Sequence, residues 1–88
     1  MDRDLAVVVD AATPVGEVIR VARMSAGNLL DEVRLFDVYR GPQIGEGRVS
    51  YALAFRFQPA DAGDEKAIEK ALNKVRGSLT HHLGAEIR

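Results

Sequence analysis

Few side chains in this sequence stand where they could do chemistry, and the most telling pair is Asp37 and Tyr39, two apart in the run Val33-Arg34-Leu35-Phe36-Asp37-Val38-Tyr39-Arg40. In a β-strand that spacing sends both side chains to one face. A carboxylate that accepts hydrogen bonds, beside a phenol ring that can stack on a π-face, suits a nucleobase such as guanine, whose pairing edge presents ring and amino N–H donors. On pattern alone the pair reads first as ordinary solvated strand residues, because lone exposed aromatics on sheets are common.

The other reactive residue types carry less. Gly41 to Gly47 is glycine-rich, but it lacks the Gly-Lys-Ser/Thr ending and the following helix of a phosphate-binding loop. His81 and His82 are adjacent, so on a helix they point about 100° apart, and no third metal ligand is near in sequence. They read as cations close to a helix C-terminus. Ser78 has a histidine within reach but nothing that marks an oxyanion hole or an orienting acid. Lys66, Lys70 and Lys74 line one helix face; interleaved with Glu65 and Glu69 they read as a solvated surface, the alternative being contact with RNA phosphates. No catalytic residue, metal site or cofactor is expected.

Composition narrows the setting. The chain has no cysteine, which removes thiol nucleophiles, thiolate metal sites and disulfides and is compatible with a cytoplasmic protein. The start of the chain has neither the charged beginning nor the apolar run of a secretion signal, and no membrane partner is expected. With 12 basic and 13 acidic residues the formal charge is −1, so any RNA contact must be local rather than a general attraction for phosphates. Eighty-eight residues, 47% apolar and 28% charged, make one soluble domain spanning residues 1–88.

The elements that must hold Asp37 and Tyr39 follow from periodicity. Leu5 to Val9 is a β-rich run. Thr13 and Pro14 announce a helix, Pro14 to Ala26, with Thr13 as its cap and Gly27 as its stop. Val33 to Arg40 and Arg48 to Gln58 read as a hairpin joined by a long glycine-studded loop. Pro59 to Gly63 breaks the chain; Ile68, Leu72, Val75, Leu79 and Leu83 then form a helical stripe ended by Gly84, and Ala85 to Arg88 is a last short strand. The order βαββαβ predicts an α+β, ferredoxin-like sandwich: a four-stranded antiparallel sheet with two helices on one face and the other face open.

Alternation then sorts each strand. Val49, Tyr51, Leu53, Phe55 and Phe57 form a buried row, leaving Ser50, Ala52, Ala54 and Arg56 outward, and Leu5, Val7 and Val9 turn inward, leaving Ala6 and Val8 outward. The strand that carries the pair is apolar in both sets. Placing Phe36 and Val38 inward leaves Leu35, Asp37 and Tyr39 outward, above a floor of Ala6, Ala52 and Ala54 with Ser50 beside it.

At these residues the chain resembles the ferredoxin-fold anticodon-binding domain that ends the β chain of bacterial phenylalanyl-tRNA synthetases. Arg3-Asp4-Leu5-Ala6, the run Val33 to Gly41 and Leu83-Gly84-Ala85-Glu86-Ile87-Arg88 carry the likeness, the middle run most specifically. The resemblance implies binding of the tRNA-Phe anticodon loop on the open sheet face, with a guanine stacked on Tyr39, Asp37 and Ala6 lining its pocket, and Ser50 added from the facing argument. It also implies that ATP and magnesium, the α chain of a heterotetramer and all catalysis belong to the rest of the parent enzyme. The alternative is a ferredoxin-like protein-interaction or ligand-sensing domain that uses the same face without RNA. An acylphosphatase-like activity would want an anion-cradling loop with Arg after the first strand, where this chain has Asp10-Ala-Ala-Thr13. A typical RNA-recognition motif would put aromatics where it has Ser50, Ala52 and Ala54.

Overall fold

The computed structural model describes residues 2–58 and 64–88. Five segments follow one another as expected: β1 (Asp2–Asp10), α1 (Val15–Ala26), β2 (Leu30–Tyr39), β3 (Arg48–Phe57) and α2 (Asp64–Leu83), closed by β4 (Glu86–Ile87), with a 3₁₀ turn, Gly27–Leu29, between α1 and β2. The strands lie in the order β2-β3-β1-β4, every neighbouring pair antiparallel. Both helices pack on one face, and the expected α+β sandwich is the fold observed. The chain break expected at Pro59 to Gly63 lies outside the described residues.

The core sits between the helices and one side of the sheet. The inward rows of β1 and β3 meet Val18, Ala22, Ile68, Leu72, Val75 and Leu79, all buried. At about 1.5–3 kcal/mol for each large apolar side chain fully withdrawn from water, this cluster is the main source of stability. Phe55 and Phe57, two apart on β3, stack with ring centroids 6.3 Å apart. Tyr51 is the one buried aromatic with a polar tip; its hydroxyl donates to the Thr13 carbonyl at 2.8 Å, which offsets the cost of burying it.

The start of α1 differs from expectation. Thr13 does not cap the helix: Pro14 is the N-cap residue, extended at φ −70° and ψ 149°, and no side chain caps it. The loop is instead organised by Asp10, whose Oδ1 accepts from the Ala12 N–H at 2.8 Å while its carbonyl accepts from the Thr13 N–H at 2.9 Å. Both helix stops are as read: Gly27 at φ 76° and Gly84 at φ 63° take left-handed conformations that a Cβ would disfavour.

The larger correction concerns β2. Its register against β3 pairs Val33 with Phe55 and Leu35 with Leu53, then jumps to Asp37 with Ala52, Val38 with Tyr51 and Tyr39 with Ser50. Phe36 is the extra residue of a β-bulge. Leu35 therefore faces the core and packs against it, and Phe36, expected inside, is 52% exposed. The bulge resets the alternation, so Asp37 and Tyr39 reach the open face although Leu35, two residues earlier, does not.

Candidate nucleic-acid interface

The face of the sheet away from the helices is where the expected residues come together. Antiparallel pairing sets cross-strand rows directly opposite one another. One row runs Asp37, Ala52, Ala6 across β2, β3 and β1, and the register of β1 with β4 continues it to Arg88, whose backbone N–H donates to the Ala6 carbonyl at 2.9 Å. The next row runs Tyr39, Ser50, Val8, Glu86. Together they enclose a shallow recess of about 330 Å³ lined by Ala6, Asp37, Tyr39, Gln43, Ile44, Ser50, Ala52 and Arg88.

Each wall has a local cause. Ala6 and Ala52 keep the floor low because a methyl is the smallest side chain that stands on a strand. Asp37 lines the recess, and its Oδ1 accepts from the Val38 backbone N–H at 2.9 Å, a local bond that restrains the carboxylate. The Tyr39 ring is 42% exposed and lies over Gly41, so close that a Cβ there would stand 2.5 Å from its Oη and 2.9 Å from its Cζ. Its hydroxyl donates to Gln43 Oε1 at 3.3 Å. Ring and loop thus hold each other, and the ring lines the recess.

Val8 is buried although it belongs to the open face. Arg48 reaches from β3 across β1, donating to the Val8 carbonyl at 3.3 Å and standing 3.7 Å from Glu86 on β4, and so roofs the valine. At the opposite end of the face a smaller recess of about 230 Å³ is lined by Asp2, Asp4, Glu32, Arg34 and Arg56, with Ala54 at its floor. Arg56 there stands between Asp2 at 3.7 Å and Glu32 at 3.8 Å. Ala54, expected in the same floor as Ala6 and Ala52, belongs to this second recess.

The open face carries six acids, Asp2, Asp4, Asp10, Glu32, Asp37 and Glu86, against four arginines, Arg34, Arg48, Arg56 and Arg88. Such a surface has no general attraction for a polyanion, and what it holds it must hold through specific contacts.

The remaining candidates lie elsewhere. Ser78 and His82 line a groove between α1 and α2 with Glu17, Arg20 and Met24. His81 and His82 sit edge to face with centroids 5.0 Å apart, and among the described residues no group of three potential ligands could hold a metal ion. Lys66, Lys70 and Lys74 are exposed on α2, on the helix side of the sheet. The acids between them are partly engaged: Arg3 Nε donates to Glu69 at 3.2 Å and Arg3 stands 3.9 Å from Glu65, pinning β1 to α2. No helix among the described residues is long and apolar enough to cross a membrane.

Sequence reasoning missed Gln43, Ile44 and Arg88 in the recess. The first two sit in a loop without periodicity. Arg88 could be placed only once the register of β4 was known.

Along its whole length the chain matches one class of domain: residues 1–88 fit the ferredoxin-fold anticodon binding domain, and the chain belongs to that family. Among its relatives is a phenylalanine–tRNA ligase β subunit from Clostridium acetobutylicum, 43% identical over 98% of this chain and 11% of that protein. The β subunit from Corynebacterium jeikeium is 40% identical over 98% of this chain and 10% of its own length, and that from Thermobifida fusca is 54% identical over 67% of this chain and 7% of its own. The chain spans about a tenth of the length of the first two relatives.

Proposed function

We propose that this chain reads the anticodon of tRNA-Phe on its open sheet face, as the non-catalytic anticodon-binding part of a phenylalanine–tRNA ligase β subunit. The observation that carries the reading is the convergence of Ala6, Asp37, Tyr39 and Ser50 from three strands on one recess. In it a base stacks on Tyr39, its methyl-lined floor excludes water, Asp37 accepts from N–H donors, and the Ser50 hydroxyl supplies a donor or acceptor beside them. Activation of phenylalanine with ATP and magnesium, and assembly with the α chain, fall on the remainder of the parent enzyme, which works in the cytoplasm.

The test is an NMR titration of the labelled domain with an anticodon stem-loop carrying guanine at the first anticodon position, against an adenine-substituted loop. Shifts that cluster at Ala6, Asp37, Tyr39 and Ser50 and weaken with adenine are expected, and Tyr39→Ala should cost about 1–3 kcal/mol of binding, the loss for one stacked base. One stack and a few hydrogen bonds against the cost of association put the isolated domain near millimolar affinity, so the titration must reach that range. Shifts confined to Lys66, Lys70 and Lys74, or none at millimolar concentration, would refute the reading.

A further inference from the structure

The row through the floor of the recess ends in opposite charges. Asp37, Ala52, Ala6 and Arg88 stand side by side on four successive positions across the sheet, an acid at one edge, a guanidinium at the other and two methyl groups between. Three inter-strand steps separate the ends by about 14 Å along the backbone. Among the described residues no ion pair joins them and Arg88 has no carboxylate side chain as partner, whereas Arg48 on the same face is paired with Glu86 and Arg56 with Asp2 and Glu32. Two complementary charges held apart over an apolar floor make a slot for a planar polar molecule that offers donors to one end and acceptors to the other.

Guanine alone among the bases has that pattern twice over. Its N1–H and N2–H₂ form an adjacent donor pair for a carboxylate, and its O6 and N7 form an adjacent acceptor pair that a guanidinium takes in bidentate fashion. Adenine presents an amino donor between acceptors at N1 and N7, so one of its groups is mismatched at each end: N1 against the carboxylate and the amino group against the guanidinium. Cytosine and uracil have no second acceptor pair to offer Arg88 once their pairing edge faces Asp37. We infer that Arg88 is a specificity-determining residue of the recess, binding O6 and N7 of the guanine whose pairing edge Asp37 reads. This rests on the base-binding reading of the recess and adds a second edge of the base to it. The rival role for Arg88 is a contact with a backbone phosphate, which would carry no base information.

Base analogues separate the two. The domain and its Arg88→Ala and Arg88→Lys variants are titrated with three stem-loops that differ at the first anticodon position, carrying guanine, 7-deazaguanine (N7 replaced by a C–H) or inosine (the N2 amino group absent). A good bidentate base contact discriminates by about 1–3 kcal/mol, roughly fivefold or more in affinity. Arg88→Ala should therefore weaken the guanine loop at least about fivefold. The loss caused by 7-deazaguanine in the parent domain should vanish in Arg88→Ala, and Arg88→Lys should not restore it, because an ammonium lacks the planar fork. The inosine loss should persist in both variants, since it reports Asp37. If Arg88→Ala instead weakens all three loops by one factor, flattens the salt dependence and is rescued by Arg88→Lys, Arg88 holds a phosphate and the inference is overturned. If Arg88→Ala changes nothing while Tyr39→Ala still weakens binding, the inference fails and the base-binding reading stands; if Tyr39→Ala is silent as well, both fail. An unchanged amide spectrum away from the recess certifies that each variant is folded.

Discussion

On the proposed reading, Gly41→Ala should weaken base binding without weakening the fold, because the tip of the Tyr39 ring occupies the space a Cβ at 41 would take. Its φ is not among the positive ones, so alanine fits its backbone without strain. A Cβ at 41 would meet Tyr39 Oη at 2.5 Å, Cζ at 2.9 Å and Cε2 at 3.4 Å. Ordinary carbon contacts begin near 3.5 Å, so the ring tip must retreat by about 1 Å. That is cheap for the exposed end of a side chain, and the smaller entropy of the unfolded alanine variant contributes about 0.4–1 kcal/mol in its favour. Stability should therefore stay level or rise slightly. A base stacked on that ring would be less fortunate: a full stack is worth about 1–3 kcal/mol, and a ring displaced from its place beside Gln43 should forfeit about 1 kcal/mol of it, roughly a fivefold loss of affinity. Thermal denaturation and the guanine stem-loop titration, run on the same sample, read the two effects separately. Unchanged affinity, or a loss of affinity that merely follows a loss of stability, would refute the idea that Gly41 positions the ring.

Two further outcomes follow from the structure. Leu35→Ala should lower stability by about 1–2 kcal/mol while Phe36→Ala stays within about 0.5 kcal/mol, since the first packs on the core and the second is the exposed bulge residue; equal effects in urea unfolding would put the bulge elsewhere. On α1, Arg20 donates from Nε to Glu17 Oε2 at 3.1 Å and also bonds Oε1, and this hydrogen bonding, with the charge of Arg20, holds the Glu17 carboxyl below the ordinary glutamate range. A lowered pKa means that the pair's contribution is complete above the ordinary glutamate value and is lost as pH falls through the lowered one. Arg20→Gln should move the Glu17 titration, followed by NMR, back up, with little change in stability at neutral pH because the pair is exposed; a midpoint that does not move would refute the assignment.

How far the sequence could be read is decided by where its patterns are redundant. Element order and the facing of β1 and β3 were legible, because strict alternation in β3 and the paired glycine stops, Gly27 and Gly84, each point one way. β2 was not, since Leu35, Phe36 and Val38 offer apolar residues in both phases and a bulge leaves no compositional mark. Asp37 and Tyr39 were placed outward through a phase that also put Leu35 outward, and only the bulge at Phe36 reconciles a buried Leu35 with an outward Asp37. The helix start went astray for a related reason: Thr13 has the right chemistry for a cap, but its carbonyl is taken by Tyr51 and the turn is already made by Asp10. Arg88 lay beyond reach altogether, because its neighbour across the sheet is fixed by pairing and not by anything within its own segment.

The charge balance of the open face bears on how such a recess can be used. With six acids against four arginines, two of the four already spent on carboxylates, the face gains little from releasing counterions, and its affinity for an arbitrary RNA segment should be low and only weakly dependent on salt. On the proposed reading, its discrimination comes from one base held by a ring, a carboxylate and a guanidinium, a few kcal/mol in all. Contacts of that size cannot recruit a tRNA from solution, but they can sort tRNAs that other parts of an assembly have already brought near, where tethering raises the local concentration toward the millimolar range in which they saturate. On the proposed reading, weak intrinsic affinity and an acidic face are then one property: a surface that held every RNA backbone would be occupied by the wrong loops, and a recess that depends on base edges stays empty until the right one is presented.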